Sequence, residues 1–256
     1  MNDTLFDLHG KTALVTGASS GLGHHFAHLL AERGAQVILT ARRGTLIEET
    51  ADKIRSNGGT ALALVMDVTD ERAVANAFST AESQLGTINV VVNNAGIVIA
   101  EAAVDIDQSQ WERVVDTNLK GVWLVSREAG RRLARSKCGG SLINVASILG
   151  LRVAKGVSSY AISKAGVIQM TRALSLEWAR YQIRVNAIAP GYILTDFNRE
   201  FFDSGAGDDT IARIPPRRIG ATTDLDGAIV LLASEASAYM TGSVIEVDGG
   251  HLNSTL

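Results

Sequence analysis

Short apolar runs alternate with amphipathic segments along this chain. The runs fall at 12–16, 36–40, 61–66, 88–92, 141–145, 183–188 and 243–247, with helix-length segments near 21–33, 45–57, 70–85, 108–137, 158–181 and 222–234. Short, continuous apolar runs predict strands buried on both faces. Their alternation with helices predicts an α/β fold, a parallel sheet covered by helices on both sides. No linker, low-complexity tract or internal repeat breaks the pattern, so one domain is expected over residues 1–256. A longer excursion, roughly 192–219, separates the last two strands; Pro190 opens it and Pro215-Pro216 close it.

In open parallel sheets, ligands bind beyond the carboxyl ends of the strands. The first strand runs into Thr16-Gly17-Ala18-Ser19-Ser20-Gly21-Leu22-Gly23. Glycines there let the backbone approach a pyrophosphate, and the next helix offers free N–H groups and a positive dipole end. This spacing, Gly-x-x-x-Gly-x-Gly, suits a nucleotide; a plain tight turn is the alternative.

Tyr160 and Lys164 lie four residues apart, on one face of a predicted helix. A free phenol titrates at roughly 10, and a nearby ammonium favours phenolate. The pair thus forms a tunable acid/base for a carbonyl or alcohol oxygen, although such pairs also occur on solvated helix faces.

Composition narrows the class. With 46% hydrophobic and 20% charged residues the chain is globular in type, and a net charge of −3 offers no basic surface for nucleic acid. Cys138 cannot form an internal disulfide, which fits a reducing compartment. The start at Met1-Asn2-Asp3 lacks signal-peptide character, and no apolar run is long enough to span a bilayer. These features predict a cytoplasmic protein without a membrane partner. His24 and His28 share a helix face, but no third ligand is visible, so no metal is expected. Trp111, Trp123 and Trp178 read as packing or subunit-contact residues.

The glycine turn at 16–23, Asn93-Asn94-Ala95-Gly96, Tyr160 with Lys164, Ser147 thirteen residues earlier, and Pro190-Gly191 together resemble the short-chain dehydrogenase/reductase family. The resemblance runs from Gly10-Lys11 to Val247-Asp248-Gly249-Gly250. It implies a Rossmann-type doubly wound, mainly parallel seven-stranded sheet, a nicotinamide cofactor and hydride transfer at a carbonyl or alcohol carbon. By resemblance Gly17, Ser19, Ser20, Gly21, Leu22 and Gly23 take the pyrophosphate, and Asp67 and Val68 address the adenine. Asp67 or Thr69 is alternatively a helix cap. Asn94, Ala95 and Gly96 lie beside the cofactor, while Asn93 either joins them or braces the sheet. Pro190, Gly191, Ile193 and Thr195 resemble the carboxamide site. Ala41 stands where the family's NAD-selecting aspartate would be, and Arg42, with Arg43 as a less certain second contact, suits a 2′-phosphate. That predicts NADP(H) in preference to NAD(H); a solvated arginine pair is the other reading.

On the catalytic side the resemblance makes Tyr160 the acid/base and gives Lys164 two tasks, lowering the phenol pKa and holding the nicotinamide ribose. Ser147 would position the substrate oxygen, and Asn118 would hold a water in a proton relay. Strand-end punctuation and a helix irregularity are the alternatives for Ser147 and Asn118. The substrate should be bordered by Ile148, Leu149, Val153, Tyr192 and the excursion with its Phe197, Phe201 and Phe202. A ketone with hydrophobic bulk is expected, with 3-oxoacyl thioesters and sugar acids or polyols as alternatives and a non-catalytic nucleotide sensor as a remote one. Arg152 would anchor an acidic substrate or face solvent. The long helices and the tail through Leu256 resemble the family's tetramer contacts.

Overall fold

A computed structural model describes residues 4–196, 198–205 and 207–254. Seven strands form one sheet: β1 (Thr12–Thr16), β2 (Gln36–Ala41), β3 (Ala61–Val65), β4 (Val90–Asn93), β5 (Gly140–Val145), β6 (Ile183–Pro190) and β7 (Val244–Val247). Their order is β3-β2-β1-β4-β5-β6-β7, and all six pairings are parallel. The expected "mainly parallel" sheet is therefore wholly parallel. The chain leaves β1 toward β2 on one side and returns to β4 on the other, which opens a crevice at the carboxyl ends of β1 and β4.

Neighbouring side chains of β1 point to opposite layers. Ala13 and Val15 join a core cluster with Phe26 and Leu30 of α1 (Gly21–Glu32), Ile47 of α2 (Gly44–Ser56) and other apolar groups. Leu14 joins the other layer, with Phe78 of α3 (Glu71–Leu85). The remaining helices are α4 (Gln108–Val115), α5 (Gly121–Ser136), α6 (Ser158–Trp178), α7 (Arg199–Asp203), α8 (Asp208–Arg213) and α9 (Asp226–Ala233). Val125 and Leu133 of α5 and Leu174 of α6 cover the α3 side, and Ile229 and Leu232 of α9 cover the other. Trp178 packs inside: a Cβ on Gly130 would lie 2.9 Å from its ring.

The segment expected as one helix over 108–137 is divided. A π turn, Asp116–Lys120, separates α4 from α5, and the Gly121 N–H bonds back to the Asp116 carbonyl. Such turns widen a helix by one residue and occur often at functional sites. The excursion holds α7 and α8, and a parallel bridge between Ile193 and Gly220 ties its two ends together. Phe197 and Leu256 lie outside the described residues.

Candidate active site

The glycine turn after β1 is shaped by close approach. Gly17 has a positive φ of 68°, and a Cβ there would lie 2.9 Å from the Ala95 Cα. A Cβ on Gly23 would lie 2.4 Å from both the Gly17 carbonyl oxygen and the Asn94 Nδ2. No larger residue fits without moving backbone. The start of α1 has no side-chain cap, whereas Asp70 caps α3 through the N–H groups of Arg72 and Ala73. An uncapped helix start beside a glycine turn leaves donors for an anion. Leu22 packs on the core, and Gly21 approaches Thr195, whose Cγ2 would lie 3.8 Å from an added Cβ. The first and sixth strand ends therefore meet over one crevice.

The Asn94 side chain braces the glycine turn, its amide donating to the carbonyls of Thr16 (3.0 Å) and Gly17 (3.3 Å). The helix cap is Asp70, not Asp67 or Thr69; Asp67 instead accepts from the Thr69 N–H and hydroxyl through one oxygen. Asn93 braces the sheet, donating to Ser126 and to Asn144, each at 2.9 Å. Val68 is buried against Gly121. At the end of β2, Ala41 is nearly buried, and both Arg42 and Arg43 are exposed. The Arg43 guanidinium reaches back to the hydroxyls of Ser19 (2.8 Å) and Ser20 (2.7 Å). Beyond β6, Gly191 packs on Asp248, and Asn198 accepts from the Thr195 N–H and donates to the Ile193 carbonyl.

Ser147, Tyr160, Lys164 and Asn118 converge at the end of β5. Ser147 accepts from the Leu149 N–H (3.1 Å), capping a short 3₁₀ turn, Ile148–Gly150, that packs on the α6 backbone at Lys164. Its hydroxyl is also close enough to the Tyr160 phenol to lower that phenol's pKa. The Lys164 Nζ lies 5.6 Å from the centre of the Tyr160 ring and donates to the Val145 carbonyl at 2.7 Å. Asn118 is fully buried. It accepts from the Ile97 N–H (2.8 Å) and donates to the Ile97 carbonyl (2.8 Å) and the Ser163 hydroxyl (3.1 Å). Ser163 in turn donates to the Tyr160 carbonyl. The asparagine side chain thus ties the loop following β4, the π turn and α6 together. A water relay at this point would use backbone groups, since the amide is spent.

Electrostatics set the protonation state of the pair. Burial pushes the Tyr160 phenol up; the neighbouring Ser147 hydroxyl lowers it and Tyr192 raises it. The lowering expected from Lys164 is outweighed by burial, and the phenol stands above its ordinary value. Burial also draws Lys164 itself down to about 8. At neutral pH the pair is therefore a neutral phenol beside an ammonium, the state that gives a proton away.

The substrate side departs most from expectation. Ile148 is 2% exposed, and Val153 is 84% exposed. Leu149 is partly exposed beside Ser147. Tyr192 lines a cleft of about 220 Å³ with Ile214, Pro216, Arg218 and Asp248. Its ring meets Phe202 at 6.1 Å and His251 at 5.7 Å. Phe201 is half exposed. Arg152 neither faces solvent freely nor stands alone: it donates to the His251 carbonyl at 2.8 Å. The sequence reading missed Ser163 and His251; the latter's signal was its place directly after Gly249-Gly250. His24 bonds Thr50 and meets His28 edge to face, and among the described residues no group of three metal-ligand side chains occurs.

The arrangement fits a nicotinamide dinucleotide. Lys164 is 4% exposed, and the Val145 carbonyl is its one hydrogen-bond partner among the described residues. A buried ammonium has three donors and needs partners. A Cβ on Gly96 would lie 3.6 Å from Nζ, so open space is kept beside it. A ribose diol would satisfy the remaining donors.

Known proteins agree. The family described as enoyl-(acyl carrier protein) reductase matches residues 17–251. A 2-dehydro-3-deoxy-D-gluconate 5-dehydrogenase of Dickeya dadantii is 38% identical over 250 residues, 96% of this chain and 97% of that protein. A 3-oxoacyl-[acyl-carrier-protein] reductase of Pseudomonas aeruginosa is 37% identical, covering 95% and 98%. Among solved structures, a short-chain type dehydrogenase/reductase from Mycobacterium marinum superposes with a TM-score of 0.91 at 41% identity, over 96% and 97% of the two chains. A gluconate 5-dehydrogenase from Burkholderia cenocepacia, in complex with NADP and tartrate, gives 0.94 at 33% identity over 98% and 99%. This chain belongs to the short-chain dehydrogenase/reductase family. It is a nicotinamide-nucleotide oxidoreductase acting on CH–OH groups. No helix among the described residues is long and apolar enough to cross a membrane.

Proposed function

We propose that the chain is an NADP(H)-preferring reductase of a ketone, with Ser147, Tyr160 and Lys164 as its catalytic group and Asn118 positioning α6 and a proton relay beside them. The observation that carries this is the Tyr160 phenol, set beside the Ser147 hydroxyl and a buried ammonium. Tyr160 gives its proton to the carbonyl oxygen in reduction and takes one in oxidation. The raised phenol pKa keeps that proton in place at neutral pH, which suits reduction. Ser147 donates to the same oxygen and orients it. Lys164 holds the ribose and keeps positive charge near the oxygen that gains electrons. When bound, the nicotinamide supplies or takes up the hydride. The glycine turn, Asp67, Val68, Gly96 and Thr195 would hold the cofactor, and the free Arg42 beside Arg43 supports the phosphate preference.

The relatives' names favour a hydroxylated ketone acid, and the tartrate of the Burkholderia structure is itself a hydroxy acid. A 3-oxoacyl thioester is the second reading, supported by relatives of nearly equal identity. In this reading residues 1–256 act as one unit, with 192–219 bordering the substrate. Trp123 on α5 and Ile162 and Leu176 on α6 expose apolar surface, which supports a homotetramer; sedimentation giving only a 27.1 kDa monomer would refute it. The exposed free thiol of Cys138 supports a cytoplasmic setting, which cell fractionation reads directly.

Tyr160→Phe tests the central claim. It should keep cofactor affinity and lower kcat by about 10²–10⁴-fold, the usual contribution of a positioned proton donor. Near-normal turnover in the variant would remove Tyr160 from the chemistry.

A further inference from the structure

The turn after β7 is built with more care than a chain connection needs. Asp248 accepts from the N–H groups of Gly250 (2.8 Å) and Leu252 (2.7 Å). Gly249 and Gly250 both take positive φ, 64° and 77°, and pack against Pro216, Ile214 and Pro215 of the excursion. These contacts fix one side chain, His251. It is 7% exposed, and its Nδ1 is buried with no hydrogen-bond partner. Buried polar atoms are nearly always paired, so an orphan nitrogen on the substrate side points to a missing ligand.

Its neighbours say what that ligand carries. The His251 ring lies 5.7 Å from the Tyr192 ring, and Tyr192 in turn is close enough to Tyr160 to affect its titration. His251 therefore stands beyond Tyr192 from the reacting oxygen. Arg152 uses one nitrogen, Nη1, on the His251 carbonyl, and its other donors have no partner among the described residues. Burial first, then the nearby Arg152, lowers the imidazole pKa, leaving a neutral ring able to accept from or donate to a hydroxyl. Arg152 offers a guanidinium fork that matches a carboxylate. Asp248, spent on the turn, and Arg213 are the other charged groups near the ring.

We propose that Arg152 and His251 are specificity-determining residues that bind the end of the substrate distant from the reacting carbon, Arg152 taking a carboxylate and His251 a hydroxyl. This rests on the reductase reading above and assigns named residues to the hydroxylated acid that reading favours.

Binding separates the two claims. D-gluconate, D-sorbitol and acetoacetyl-CoA are titrated into the cofactor-loaded protein and into its Tyr160→Phe form, which is expected to bind without turnover. The His251 ring ¹⁵N resonances and the dissociation constants are followed. Gluconate should move the Nδ1 resonance. Arg152→Gln should weaken gluconate about tenfold or more while leaving sorbitol unchanged, and Arg152→Lys should recover part of the loss. His251→Phe, which fills the same space, should weaken gluconate and sorbitol together. Circular dichroism and thermal unfolding confirm that each variant is folded; should Arg152→Gln unfold, Arg152→Lys against the sorbitol control carries the test. The proposal is overturned if gluconate does not bind, if charged and neutral ligands respond alike to Arg152→Gln, if acetoacetyl-CoA binding shows the same dependence, or if the Nδ1 resonance follows protein concentration instead of ligand. Absence of turnover with intact gluconate binding would fault the reductase reading alone.

Discussion

The two halves of the crevice are held in different ways. The cofactor half, at the ends of β1, β2 and β4, is fixed by backbone against backbone. Gly17 and Gly23 leave no room for a Cβ, and the Thr16 hydroxyl accepts from the N–H groups of both Asn94 and Ala95 at 3.0 Å. The substrate half, beyond β6 and β7, is fixed by side chains and turns: Asn198 on Ile193, Arg152 on His251, Asp248 on its own turn. Backbone packing admits few sequences and few shapes. A wall of side chains can be refitted without moving the sheet, which allows one scaffold to serve many substrates.

The largest expected effect breaks the first half. Gly23→Ala places a methyl 2.4 Å from the Gly17 carbonyl oxygen and the Asn94 amide, so the turn must shift. Overpacking of this kind costs about 3 kcal/mol, or about 100-fold in affinity. Fluorescence titration should show NADPH binding weakened by about that factor. Gly249→Ala is the counterpart in the other half. Its Cβ would approach Pro216 only to 3.1 Å, with strain from the positive φ. It should raise the substrate KM several-fold and leave the NADPH affinity alone. Equal losses of cofactor affinity in both variants would erase the distinction.

The second test falls where the halves meet. The folded pKa of Lys164 is about 8, below its ordinary 10.5. The unfolded chain therefore binds the extra proton between those values, so this group's contribution to stability rises with pH from about 8 to 10.5 and is fully unfavourable below 8. The cost at pH 7 is about 3 kcal/mol. Lys164→Met removes it but loses the bond to the Val145 carbonyl, about 1 kcal/mol. The ligand-free variant should melt about 5 °C higher at pH 7, with the gain shrinking toward pH 10.5, and should be nearly inactive. A variant less stable than the parent at pH 7 would show that the buried ammonium is already satisfied.

How far the sequence revealed all this follows the same division. The strands, the glycine turn and the Ser147–Tyr160–Lys164 cluster were legible because each depends on residue type at fixed spacing along a regular element. The π turn at Asp116–Lys120 entered only as the alternative reading of Asn118, a helix irregularity, since the apolar pattern runs through it unbroken. That the Asn94 side chain braces the glycine turn was not legible, because an asparagine beside a cofactor and one bracing a turn have the same letter and place. The lowered phenol pKa expected from Lys164 failed because spacing fixes the distance of a charge but not the burial that opposes it. Ile148, Val153, Arg152 and His251 sit in the half whose shape depends on contacts between distant segments, and there the letters carried least.

The smallest effect, and the sharpest for the cofactor half, concerns the two arginines after β2. Arg42 is exposed and makes no hydrogen bond or ion pair among the described residues, so it can meet a 2′-phosphate without giving anything up. Arg43 already holds Ser19 and Ser20, and must trade those bonds or add the phosphate to them. Hydrogen bonds to charged groups contribute roughly 1.5–3 kcal/mol each, and exposure to water and salt reduces that at this site. Arg42→Ala should therefore raise the NADPH KM by about tenfold and leave the NADH KM nearly unchanged. Arg43→Ala should differ in kind: by releasing the two serines it loosens the glycine turn that both cofactors use, so both KM values should rise by a similar few-fold factor. Steady-state kinetics with each cofactor distinguish the cases. If Arg43→Ala alone discriminates against NADPH while Arg42→Ala changes nothing, the phosphate ligand is Arg43, and its serine contacts hold it ready for that anion rather than supporting the turn.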